Sequence, residues 1–232
     1  MIKREFFYLP EEGSLPINGN TVYKVGSDRT MLPFYGNTVI FDLDTETKRK
    51  LKHLQDILYA DCGSFLGEPL AEQSFHMTLH DLFSGSDRES VVTDVRRTET
   101  HAQTLVEQIR RDLRTAIPMK PVKAVNMVSS SVVLLLEPKY AIHKQLLDVC
   151  YQMLQPVCSL SYGLMPHITL GYYRPMGQMP EAAGELSEEQ LDCLHSALET
   201  MQEQLDFTVT LDPGKLWYCE FTDMNTYGRQ LL

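Results

Sequence analysis

The sequence predicts an α+β fold of two pseudo-equivalent lobes. Each is a β-α-β-α-β unit with a mostly antiparallel sheet, and the two enclose a central groove. Three observations lead there. The tetrapeptide His76-Met77-Thr78-Leu79 returns as His167-Ile168-Thr169-Leu170. The elements around each copy come in the same order, with about 37 residues from Val39 to His76 and about 35 from Val132 to His167. At 232 residues with 43% hydrophobic and 22% charged side chains, the chain can bury one large core.

Residues 1–36 are rich in Pro, Gly and Asn and read as an irregular arm with a short hairpin, outside the duplicated region 37–232. Thr38 to Leu43 is the first strand. A helix from about Glu46 to Ala60 follows, with Leu51, Leu54 and Leu58 on one stripe. The first motif strand runs from Ser74 to Phe83. A long polar loop, Ser84 to Thr100, leads to a helix from about His101 to Ile117, closed by Pro118 and Pro121. Val122 to Val128 is a strand. The second half repeats the order. Val132 to Leu136 is a buried strand, Tyr140 to Leu154 a helix and Leu164 to Tyr173 the second motif strand. A second loop, Arg174 to Leu186, precedes a helix over about Glu188 to Leu205. Phe207–Leu211 and Lys215–Phe221 form strands turned by Asp212-Pro213-Gly214. The lobes fall at about 37–130 and 131–232, with exchange of elements left open. A pseudo-twofold axis between them lets the two motif strands lie side by side.

A net charge of -10 argues against long nucleic acid as a partner, which calls for a basic stripe. Arg110 and Arg114 share a helix face, but Glu107 and Asp112 dilute it. No apolar run has the length of a membrane span, and the basic start meets Pro10, Glu11 and Glu12 too soon for a secretory signal. The five cysteines form no C-x-x-C pair and are odd in number, so a disulfide framework is not expected. A small phosphorylated substrate fits this charge better than long RNA, and a cytoplasmic monomer without cofactor, metal or membrane partner is the expectation.

The chemistry lies in the motifs. Side chains alternate across a strand, so His76 and Thr78 share one face and His167 and Thr169 another. Imidazole titrates near neutral pH, which lets one His accept a proton while its partner donates one. Each Thr hydroxyl can donate a hydrogen bond to a non-bridging phosphate oxygen. Four such groups facing one groove suit a phosphodiester held between the imidazoles.

The paired tetrapeptides resemble the signature of the two-histidine (2H) phosphoesterase superfamily, which includes RNA ligase-like proteins and cyclic phosphodiesterases. The resemblance covers about residues 37–222. It implies a bilobal fold, a central cleft and a metal-independent reaction, with His76 and His167 as the catalytic acid/base pair and Thr78 and Thr169 as phosphate ligands. His80 and Tyr173 continue the inward face by alternation, and Arg174 and Tyr35 stand near the groove. These four are further candidates for substrate contact. Asn37 is a candidate groove residue as well, whereas Trp217 and Tyr218 are assigned to the core. The resemblance implies hydrolysis of a cyclic phosphate or phosphodiester of a small nucleotide or short oligonucleotide, and three alternatives compete with it: a non-catalytic nucleotide-binding module, RNA-end processing or 2′–5′ ligation, and a zinc site built from His76, His80 and His167.

Overall fold

A computed structural model describes residues 7–177 and 183–232. The arm carries β1 (Leu15–Pro16). Then come β2 (Tyr35–Asp42), α1 (Thr45–Cys62), β3 (His76–Gly85), α2 (Arg88–Asp112) and β4 (Ile117–Met127). The second half holds β5 (Ser131–Pro138), α3 (Ala141–Leu154), β6 (His167–Tyr172), β7 (Glu185–Leu186), α4 (Glu188–Gln202), β8 (Val209–Leu211), β9 (Leu216–Phe221) and β10 (Tyr227–Gly228).

Two four-stranded sheets hold the molecule together, in the orders β10-β9-β2-β3 and β6-β5-β4-β8. Every pair within them is antiparallel. The two motif strands therefore occupy equivalent edges, and those edges touch each other. The halves exchange strands reciprocally. The strand after α2, β4, joins the second sheet beside β5, while β9, reached after α4, crosses back to lie beside β2. This exchange ties the two lobes into one body.

Local chemistry fixes the helices. Asp44 caps α1 by accepting from the Thr47 backbone N–H at 2.8 Å, and Leu51, Leu54 and Leu58 are buried. Ser187 and Gln190 form a reciprocal capping box at the start of α4. The predicted polar loop Ser84–Thr100 is corrected: α2 already begins at Arg88, with Asp87 as its cap. Val91, Val95, Ala102, Val106 and Ile109 are its buried stripe, and the charged residues between them are its solvent face. That wide polar face resembles a loop when read without a packing partner. The helix also ends at Asp112, so Pro118 and Pro121 stand inside β4, with a bulge at Pro121/Lys123. In the second predicted loop, Arg174–Leu186, residues 178–182 lie outside the described residues, and Glu185–Leu186 pair with the arm.

The arm is irregular but firmly packed. Leu15 pairs with Leu186 and Val25 is fully buried. The Glu68 N–H donates to the Arg29 carbonyl at 2.7 Å, and Arg29 Nε donates to the Leu66 carbonyl at 3.0 Å. Asn18 grips the β4–β5 turn: its N–H donates to the Ser129 carbonyl at 2.9 Å and its amide to the Val128 carbonyl at 3.1 Å. Val128 and Ser129 sit at φ 45° and 52°, a left-handed geometry that tight hairpins need and that a β-branched residue adopts only under constraint.

Candidate active site

The motif strands place their side chains as alternation requires. Met77, Leu79, Ile168 and Leu170 are fully buried, while His76, Thr78, His167 and Thr169 are half-buried on the opposite faces. Both faces line one cavity of about 370 Å³, a volume within the range of small-molecule sites.

The two imidazoles are held alike. His76 Nδ1 lies 2.6 Å from the Ser74 carbonyl, and His167 Nδ1 lies 2.7 Å from the Met165 carbonyl. A carbonyl only accepts, so each Nδ1 carries the proton and each Nε2 is the nitrogen left for chemistry. The same spacing, two residues back along the chain, holds both rings. Burial depresses both pKa values. His76 falls to about 4, lowered further by His167 and Lys48 and opposed by the Ser74 carbonyl and Asp81. His167 is also lowered by burial, against the Met165 carbonyl and Asp81.

Beyond the threonines the alternation breaks, at the same place in both strands. Ile40 pairs with Thr78 but Val39 pairs with His80, so Leu79 is an extra residue. Val133 pairs with Thr169 but Val132 pairs with Gly171, so Leu170 is extra. A bulge of this kind shifts the parity of every later side chain. Asp81 and Tyr172 therefore take the groove face. The placement expected for Tyr173 is corrected, whereas His80 does stand at the cavity. Tyr173 is fully buried in the core, does not line the cavity, and its hydroxyl has no hydrogen-bond partner among the described residues. His80 borders the cavity but is only 1% exposed. Its ring lies against Tyr151 at 4.7 Å, and its Nδ1 is 2.5 Å from the Asp81 carbonyl. Gly171 is its counterpart because the Tyr59 hydroxyl would come within 2.9 Å of a Cβ there.

The other candidates lie elsewhere. The Arg174 guanidinium donates to the Ser64 carbonyl at 2.7 Å and the Ser27 carbonyl at 3.0 Å, which turns it away from the groove. Tyr35 does not line the cavity and stands under Arg88. Asn37 is buried, donating to the Tyr218 hydroxyl at 3.1 Å and accepting from the Phe83 N–H at 2.9 Å.

Several lining residues were not found in the sequence. Asp81 is exposed in the groove and accepts from the Tyr162 hydroxyl at 3.0 Å. Tyr227, on β10, packs edge-on against His76 at 4.6 Å, and burial raises its phenol well above the ordinary value. Tyr172 is pushed up to about 12 by burial. Lys24 enters from the arm. No periodicity marks these positions, because they depend on bulges and on packing between distant segments. Among the described residues, no group of three or more His, Cys, Asp or Glu side chains is gathered as metal ligands, so His76, His80 and His167 are not brought together as a zinc site. No described helix is long and apolar enough to cross a membrane.

No family profile matches this chain. No curated protein sequence matches it either. A conserved protein of unknown function from Agrobacterium tumefaciens is similar in structure, with a TM-score of 0.54 over 90% of both chains at 18% identity. That likeness shows a shared fold. LigT from E. coli in its apo form overlays 60% of this chain and 72% of its own, with a TM-score of 0.39 and 21% identity. LigT complexed with ATP gives 0.36, 18% identity, and coverage of 61% and 72%.

Proposed function

We propose that this chain is a phosphoesterase of the two-histidine type, hydrolysing a cyclic phosphate or phosphodiester of a nucleotide or short oligonucleotide. One observation carries the reading. Two imidazoles, each with Nδ1 pinned to a carbonyl and Nε2 unpinned, border one cavity beside two threonine hydroxyls. A binding pocket for a phosphate has no need of two proton-transfer groups set in matching tautomers.

In the mechanism, neutral His76 Nε2 takes a proton from water as the water oxygen attacks phosphorus. Protonated His167 gives its Nε2 proton to the departing ribose oxygen. The threonine hydroxyls donate to the non-bridging oxygens, where charge builds in the transition state. His76 is assigned the base because Lys48 and His167 disfavour its protonated form on top of burial, whereas His167 is opposed by burial and favoured by the Met165 carbonyl and Asp81. The substrate's negative charge raises both imidazoles on binding, which helps His167 hold its proton. The proton transfers are complete with these side chains, so activity is expected to persist in a chelator.

The test is a panel of 2′,3′-cyclic, 3′,5′-cyclic, 2′–5′-linked and cyclic dinucleotide substrates, followed by phosphorus NMR with the parent chain and both His→Ala variants. Turnover abolished in either variant supports the reading. Nucleotide binding without turnover of any substrate, including 2′–5′ RNA ends, replaces it with a binding module.

A further inference from the structure

The four motif side chains can polarise a phosphate, but the one positive charge they bring, the proton on His167, is given up to the departing oxygen. Both imidazoles are held below their ordinary values by burial. An anion entering the groove loses water, and that loss is costly unless a cation compensates. Among the described residues that line the cavity, Lys24 is the only Lys or Arg.

Lys24 is an unusual lysine. Its ammonium sits 5.0 Å from the centre of the Phe34 ring and 5.6 Å from that of Tyr172. Burial lowers its pKa, and Asp81 raises it only as a charge in the vicinity. No carboxylate among the described residues is within ion-pair distance of it. Lysines that leave water are ordinarily paired. This one is steadied by ring faces, which hold a cation without using its N–H donors. Its platform, Tyr172, lies on the same strand as Thr169, and both line the groove. The arm holds Lys24 in place from both sides, through Asn18 on the β4–β5 turn and Arg29 on the segment before β3.

We propose that Lys24 is an anion-binding residue of the groove, pairing with the non-bridging oxygens of the phosphate held between His76 and His167. The arm thereby completes a site that the duplicated lobes leave short of one charge. The inference rests on the phosphoesterase reading for the identity of the anion. The anion site itself can be tested without turnover.

The experiment titrates inorganic phosphate into the parent chain, Lys24→Met, Lys24→Arg and the His76→Ala/His167→Ala double variant at neutral pH, by calorimetry at two ionic strengths. Lys24→Met should weaken phosphate binding by about tenfold or more and remove most of its salt dependence, while Lys24→Arg stays within about threefold. The thermal midpoint of Lys24→Met should not fall, which separates charge from packing. Unchanged phosphate affinity in Lys24→Met, or no phosphate binding by the parent chain, overturns the inference. On the substrate panel, turnover by the parent with unchanged KM and kcat in Lys24→Met overturns this inference alone. Lys24-dependent phosphate binding, retained in the double His variant but without turnover by the parent, overturns the hydrolase reading and leaves the anion site standing.

Discussion

The strands β3 and β6 share one backbone plan and differ in what surrounds it. Both are edge strands, both put His and Thr on the groove, both pin Nδ1 two residues back, and both bulge at the leucine after the threonine. The differences begin after the bulge. The first strand presents Asp81 where the second presents Tyr172, and packs His80 where the second has Gly171. The symmetric part is what the proposed proton relay across phosphorus requires. The asymmetric part lines the groove with a carboxylate, Asp81 beside Tyr162, and with a cation over an aromatic ring, Lys24 beside Tyr172.

The strongest challenge to the equivalence is removal of each imidazole. His76→Ala and His167→Ala should each lower kcat by about 10²–10⁴-fold on the preferred substrate. The double variant should fall little below the worse single, because the two act as a unit. A variant retaining near-parental kcat would break the pairing.

The pH–rate profile separates the roles next. With both imidazoles depressed, kcat/KM should peak on the acid side of neutrality, its acid limb set by His76 near about 4. The kcat profile should lie at higher pH, since bound phosphate raises both groups. Stability follows the same linkage. An unfolded His76 protonates near its ordinary 6.5, whereas the folded one stays neutral to about 4. The unfolded state therefore binds more protons in that window, and the fold loses stability as pH falls through it. Urea midpoints across that range check the sign, and a flat series would contradict it.

The third contrast concerns how the lobes are joined. Gln55 is fully buried and its amide donates to both the Leu70 carbonyl at 3.1 Å, on the segment ahead of the first motif, and the Leu170 carbonyl at 3.0 Å, within the second. Gln55→Leu strands both carbonyls and should cost about 1–3 kcal/mol per group left unpaired, read by urea denaturation. Gly171→Ala probes the other asymmetry, where the new Cβ meets Tyr59. A loss of about 1–3 kcal/mol is expected.

The smallest effect belongs to Asp81. Asp81→Asn removes a negative charge from the groove and should tighten phosphate binding by about two- to fivefold, more at low salt. Loss of affinity instead would mean that the carboxylate holds a donor group of the ligand.

Much of the site was legible because it is local. A strand must alternate, so His76 with Thr78, and His167 with Thr169, were bound to share a face wherever the strands went. The helices α1 and α4, with side-chain caps, and α3, with its buried stripe of Leu147, Cys150, Tyr151 and Leu154, were found for the same reason. The first half of α2 was missed, since a helix with a wide charged face shows its apolar stripe only once a partner is known.

The amino-acid order by itself determined the two motifs, the repeated element order and the antiparallel α+β class. Tertiary structure alone decided that β4 and β9 change places, that Asp81 and Tyr172 join the groove while Tyr173 turns into the core, and that Lys24 reaches the groove from the arm. The reason is physical. Alternation along a strand follows from the geometry of successive residues, whereas bulge position and strand exchange follow from hydrogen bonds to partners far away in the chain.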